Sequence, residues 1–83
     1  MTLTEMRYIV ALARERHFGK AAEACHVSQP TLSVALKKVE GQLGAALFER
    51  TAADVRITAL GERIVNQCRR VLEEALRLEE IAG

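Results

Sequence analysis

Apolar positions recur at helical spacing through the first half of the chain. Leu3, Met6, Ile9, Val10 and Ala13 form the stripe of a first helix ending near Arg16, with Arg7, Arg14 and Arg16 off that stripe. Thr2 and Glu5 have the spacing of a reciprocal capping box at its start. Phe18, Ala21, Ala22 and Cys25 share one face of a short helix from about Gly19 to Cys25, and Lys20, Glu23 and Ala24 share the other. His26, Val27 and Ser28 read as a turn in which Ser28 caps the next helix. Pro30 is tolerated only in a first helical turn, which places the start of that helix. Its core side is Leu32, Ala35, Leu36, Val39 and Leu43, and Gly41 and Gly44 bracket its end. Its opposite side carries Gln29, Pro30, Ser33, Val34 and Lys37, with Thr31 and Lys38 at the margins.

The period then changes. Phe48 to Arg50 and Val55 to Thr58 read as two short strands, with Arg56 outward between Val55 and Ile57 and residues 51–54 as the tip. Thr58 caps a final helix from about Ala59 to Ala82, roughly 36 Å long at 1.5 Å per residue. Gly61, Ile64, Cys68, Val71, Ala75, Leu78 and Ala82 alternate at spacings of three and four, the pattern of a coiled-coil seam, and Val65, Leu72 and Leu76 widen it. Such a stripe is wider than the core of an 83-residue chain can cover. One flank is expected on the chain's own helices and the other on a partner. The expected class is therefore mostly α, with three helices, a two-stranded hairpin and a long fourth helix.

The exposed face of the third helix carries the candidate chemistry. Gln bonds adenine bidentately, Ser bonds either base type, and Val or Pro suits a thymine methyl. Lys neutralises phosphates. The same pattern also fits an ordinary amphipathic helix with a solvated polar face. Charge adds little: the net charge is +1, with +2 on residues 1–50 and −1 on residues 51–83. Affinity for a polyanion would rest on a few placed contacts and on doubling in a dimer. Neither His17 nor His26 has partners at ligand spacing, and Cys25 and Cys68 form no metal motif, so no metal or cofactor is expected. Both cysteines read as packing residues. No nucleophile–base pair or phosphate-binding glycine loop suggests an enzyme. No apolar run approaches the ~20 residues of a membrane span, and residues 1–5 lack the basic start and apolar core of a signal peptide. Cytoplasmic residence with reduced thiols is the expectation.

The segment HFGKAAEACHVSQPTLSVALKKVEGQLGAALFER resembles the N-terminal winged helix-turn-helix of LysR-type transcriptional regulators: the AA pair, VSQPTLS, the LG pair and LFER fall in that family's order and spacing. The likeness runs from about Leu3 to Ala82. Within the family, RHFGKAAEACHVSQPTLS is most similar to the hydrogen-peroxide-responsive activators of the OxyR type. The resemblance implies a winged helix-turn-helix DNA-binding domain over residues 1–58 and a dimerising linker helix over residues 59–83. Two copies would dock on an interrupted palindrome of double-stranded DNA. Gln29, Pro30, Ser33 and Val34 would read bases, while Thr31, Lys37, Arg50 and Arg56 would hold the backbone. Ile64, Cys68, Val71, Ala75 and Leu78 would form the homodimer seam. Many relatives carry a basic residue at the wing tip. This chain has Ala53 and Asp54 there, which argues against minor-groove insertion and predicts repulsion of a phosphate by Asp54. The resemblance also implies an effector domain that these residues do not contain, and any redox-sensing cysteines would belong to it. The rival reading is a winged helix used for protein contacts without DNA readout.

Overall fold

The computed structural model describes residues 1–51 and 54–83. The elements run α1 (Leu3–Glu15), α2 (Phe18–Ala24), α3 (Gln29–Leu43), β1 (Phe48–Arg50), β2 (Val55–Ile57) and α4 (Ala59–Ala82). Each helix start has a side-chain cap. Thr2 Oγ1 accepts the Glu5 amide while Glu5 Oε1 accepts the Thr2 amide at 2.8 Å, the expected capping box. His17 Nδ1, Ser28 Oγ and Thr58 Oγ1 cap α2, α3 and α4. The hydrogen bond from the Thr2 backbone, aided by Lys38, holds the Glu5 carboxyl below its ordinary range against an opposing effect of burial.

Helices α1, α2 and α3 pack on one another, and α1 also packs along α4. The core is Ile9, Ala11, Leu12, Ala21, Ala22, Leu32, Leu36, Val39, Leu47, Phe48, Val55 and Val65. Several periodicity assignments shift here. Leu3, the first residue of α1, is exposed beyond the reach of the neighbouring helices, and burial on α1 extends to Ala11 as well as Leu12 because α1 has neighbours on more than one side. Leu43 is 43% exposed, since α3 has passed the end of the core by its last turn. Gly41 lies inside α3, and Gly44 alone makes the stop, with φ +70 and its amide on the Glu40 carbonyl. The first helix ends at Glu15, with Arg16 as a left-handed C-cap.

Leu47 is the residue that periodicity overlooks. It sits between α3 and β1 and is fully buried. Glu40 Oε2 accepts the amides of Leu47 at 2.6 Å and Phe48 at 3.2 Å. The Leu47 carbonyl accepts from the Thr58 amide and hydroxyl. This clamp brings α4 so close that a Cβ on Gly61 would lie 2.1 Å from the Leu47 carbonyl oxygen.

The strands pair antiparallel in the register Phe48–Ile57, Glu49–Arg56 and Arg50–Val55. Of the tip, Ala52 and Ala53 lie outside the described residues, so the expectation for Ala53 is not addressed. The turn flanks are closed by Thr51 and Asp54. The Thr51 amide and hydroxyl donate to the Asp54 carbonyl, and Thr51 Oγ1 accepts the Asp54 amide. Asp54 Oδ1 accepts the Val55 amide at 2.8 Å. The carboxylate predicted to repel phosphate thus has a local structural partner.

Candidate DNA-binding surface

The cap at Ser28 sets the orientation of α3. Ser28 Oγ accepts the Thr31 amide at 3.2 Å and shares a 2.8 Å hydrogen bond with the Thr31 hydroxyl. Pro30 occupies the first turn, where its missing N–H costs no helical bond. Leu32, Leu36 and Val39 bury the inner side of α3, so geometry turns Pro30, Val34 and Lys37 to solvent; Gln29 is exposed at the helix start and Ser33 is half-exposed beside it. Val34 is 68% exposed, an apolar branched side chain held on the outer face of a helix that also supplies core. The turn between α2 and α3 is tight. Val27 donates to the Ala22 carbonyl, and His26 takes φ 58, a left-handed conformation costly for a residue with a Cβ.

The hairpin brings Arg50 alongside this face. One groove is lined by Phe18, Ser33, Lys37, Glu40 and Arg50, and a second by Arg16, His17, Gln29, Arg50 and Thr51. Arg56 is exposed on β2, paired in register with Glu49. The predicted residues therefore divide. Gln29, Ser33, Lys37 and Arg50 border these adjoining grooves. Pro30, Thr31 and Val34 border a shallower one with Lys38 and Glu5. Arg56 lines none of these three grooves. The Thr31 hydroxyl is engaged by Ser28, and Lys38 leans toward Glu5 at 3.7 Å. The ion pairs among the described residues, Arg14–Glu15, Lys38–Glu5 and Arg77–Glu74, leave Lys37, Arg50 and Arg56 uncommitted. Glu40, which clamps Leu47, was not singled out from the sequence. Its place just inside the glycine stop of α3 is the only signal that could have pointed to it.

Residues 3–62 match the family described as bacterial regulatory helix-turn-helix protein, lysR family. The chain belongs to the LysR family. The matched residues are the regulatory helix-turn-helix of that family. The whole chain is 49% identical to the DNA-binding transcriptional dual regulator OxyR of Escherichia coli K12, and covers 27% of that protein. It is 61% identical to a full-length OxyR variant from Pseudomonas aeruginosa, with a TM-score of 0.94 over 99% of this chain and 28% of that one. The BenM DNA-binding domain in complex with the catB site 1 DNA superposes with a TM-score of 0.94 at 30% identity, over 99% of this chain and 91% of that one. The chain thus spans about a quarter of the length of the curated OxyR relative it matches.

The expected seam on α4 is split by the structure. Gly61, Val65 and Cys68 turn onto the chain's own core, and Cys68 is only 4% exposed. Ile64 packs against the core, and Val71, Leu72 and Ala75 are half-buried. Leu76, Leu78 and Ile81 stand out in solvent, with Leu78 68% exposed. Cys68 is thus covered within its own protomer, where the seam pattern expected it to meet a partner. No helix among the described residues is long and apolar enough to cross a membrane.

Burial pushes both thiols up, with Arg14 partly opposing the effect at Cys25. The thiolate is the reactive form. Peroxide should therefore leave DNA affinity unchanged, and the double variant Cys25→Ala, Cys68→Ala should bind like wild type with a modest stability loss. Titrations before and after peroxide, with mass spectrometry of each sulfur, check this. A reversible, cysteine-dependent change in affinity would place sensing in this domain.

Proposed function

We propose that two copies of this domain bind an interrupted palindrome of double-stranded DNA, each seating α3 in a major groove. The observation that carries this reading is the outer face of α3. Gln29, Pro30, Ser33 and Val34 form a donor, acceptor and methyl surface suited to base edges, with Lys37 and Arg50 available beside it for phosphates. Arg56 and Thr31 act as outlying backbone contacts, Thr31 through a hydroxyl already oriented by Ser28. Residues 1–58 read DNA and residues 59–83 pair the copies. The parent regulator works in the bacterial cytoplasm and, by its similarity to hydrogen peroxide-inducible activators, serves an oxidative-stress response whose sensing chemistry lies outside these 83 residues. Selection of bound sequences from random duplexes, followed by titration at several salt concentrations, tests the reading. Retention of one two-fold-related motif with affinity falling steeply in salt is expected. Salt-insensitive or sequence-blind binding would favour the protein-contact alternative.

Pairing rests on the outer half of α4. Leu78 is solvent-exposed in the protomer, so Leu78→Asp should leave the fold intact while placing a charge in the seam. Sedimentation at micromolar concentration should find a dimer for wild type and a monomer for the variant, with operator affinity reduced by at least tenfold. A wild-type monomer with a folded α4 would rule the seam out.

A further inference from the structure

The guanidinium of Arg50 lies over the ring of Phe18, with Cζ 3.8 Å from the centroid. Phe18 opens α2 and is half-buried against the core, so its ring is a fixed surface. Arg50 ends β1 and borders both grooves beside α3, the one containing Ser33 and Lys37 and the one containing Gln29 and His17. No carboxylate among the described residues lies within ion-pair distance of it. Glu40 in the first groove accepts the Leu47 and Phe48 amides through Oε2, and Asp54 in the second accepts the Val55 amide through Oδ1. A ring face attracts a cation through its quadrupole and consumes none of the guanidinium's N–H donors. Arginine, with its planar delocalised cation, is suited to this combination of stacking and phosphate binding.

We propose that Phe18 is a positioning residue for Arg50, holding the guanidinium beside the base-reading face of α3 so that its N–H edges meet a DNA phosphate without first being ordered. The proposal rests on the DNA-binding reading above. It ties the tip end of β1 to α2, so that the contact between hairpin and backbone keeps a set distance from α3. The ring does not itself touch DNA, and its contribution runs through Arg50.

Phe18→Leu keeps an apolar side chain and removes the ring face, while Phe18→Tyr keeps the ring. Phe18→Leu should weaken binding to the selected duplex about threefold, the scale of an exposed cation–ring contact, and Phe18→Tyr should stay near wild type. In an Arg50→Ala background, Phe18→Leu should cost nothing further. Arg50→Ala alone should lower the salt slope by about one. Equal losses from Phe18→Leu in both backgrounds would mean a merely structural role and overturn the proposal. A measurement without DNA guards against a variant that fails to fold. In the wild-type protein the Phe18 ring current should shift the Arg50 Cδ protons upfield, and an unshifted resonance overturns the proposal on its own. Absence of salt-sensitive wild-type binding would sink the DNA reading and this inference with it. Additivity beside normal wild-type binding would sink only this inference.

Discussion

Gly61→Ala should lower stability by about 3 kcal/mol, the upper end for an overpacked site, and drop Tm by roughly 12–24 °C for a domain of this size. The added Cβ would sit 2.1 Å from the Leu47 carbonyl oxygen and 2.8 Å from Ile57 Cγ1. The first neighbour is backbone that accepts the Thr58 amide, and the Thr58 hydroxyl is shared between it and the Ala46 carbonyl, so moving it disturbs the residue that caps α4. Helix propensity alone predicts the opposite sign, since alanine is favoured over glycine by about 1 kcal/mol in a helix interior. Gly41 provides the control. It is also helical, and nothing lies within 4 Å of its would-be Cβ. Gly41→Ala should therefore stabilise by roughly 0.5–1 kcal/mol. Thermal melts of the two variants should move in opposite directions. A melt of Gly61→Ala at or above wild type would show that α4 does not approach Leu47 so closely.

Replacing Gln29 or Ser33 with alanine should cost about 1–3 kcal/mol on the selected duplex and flatten preference at one or two base pairs. The two residues lie one turn apart at the start of α3, Gln29 exposed and Ser33 half-exposed beside the groove that Arg50 borders. Neither supplies core, so helix content and Tm should hold. Lys37→Ala should differ in kind, weakening every duplex alike and lowering the salt slope by about one. Titrations on the selected and a scrambled duplex separate the cases. If the scrambled duplex weakens as much as the selected one in the Gln29 and Ser33 variants, those residues contact backbone and do not read sequence.

Much of this fold was legible because its signals are local. Capping by Thr2, Ser28 and Thr58 depends on residues three apart, and all three caps form where expected. Pro30 restricts α3 to one start, and the alternation of Val55, Arg56 and Ile57 marks a strand. The outer face of α3 was legible for the same reason, since the burial of Leu32, Leu36 and Val39 leaves Pro30, Val34 and Lys37 outward, while Gln29, nearly in line with Leu36, is exposed because it opens the helix. The misassignments fall where the reach of neighbouring elements decides burial. Leu3 and Leu43 obey helical spacing but lie beyond the reach of the neighbouring helices. Leu47 belongs to no period, and only its clamp between Glu40 and Thr58 makes it core.

The amino-acid order by itself determined which segments are helical, where α1, α3 and α4 begin, and which face of α3 is turned outward, because propensity, capping and amphipathic spacing act within a few residues. Only the tertiary structure decided how the long stripe of α4 is shared. Packing on α1 takes Val65 and Cys68 for the chain's own core and leaves Leu76, Leu78 and Ile81 in solvent. The structure also decided that Arg50 rests on Phe18, two residues 32 positions apart whose meeting depends on how the hairpin returns beside α2. Periodicity reports that a face is apolar or charged. Which neighbour covers that face is set by long-range packing, and no window of sequence contains it.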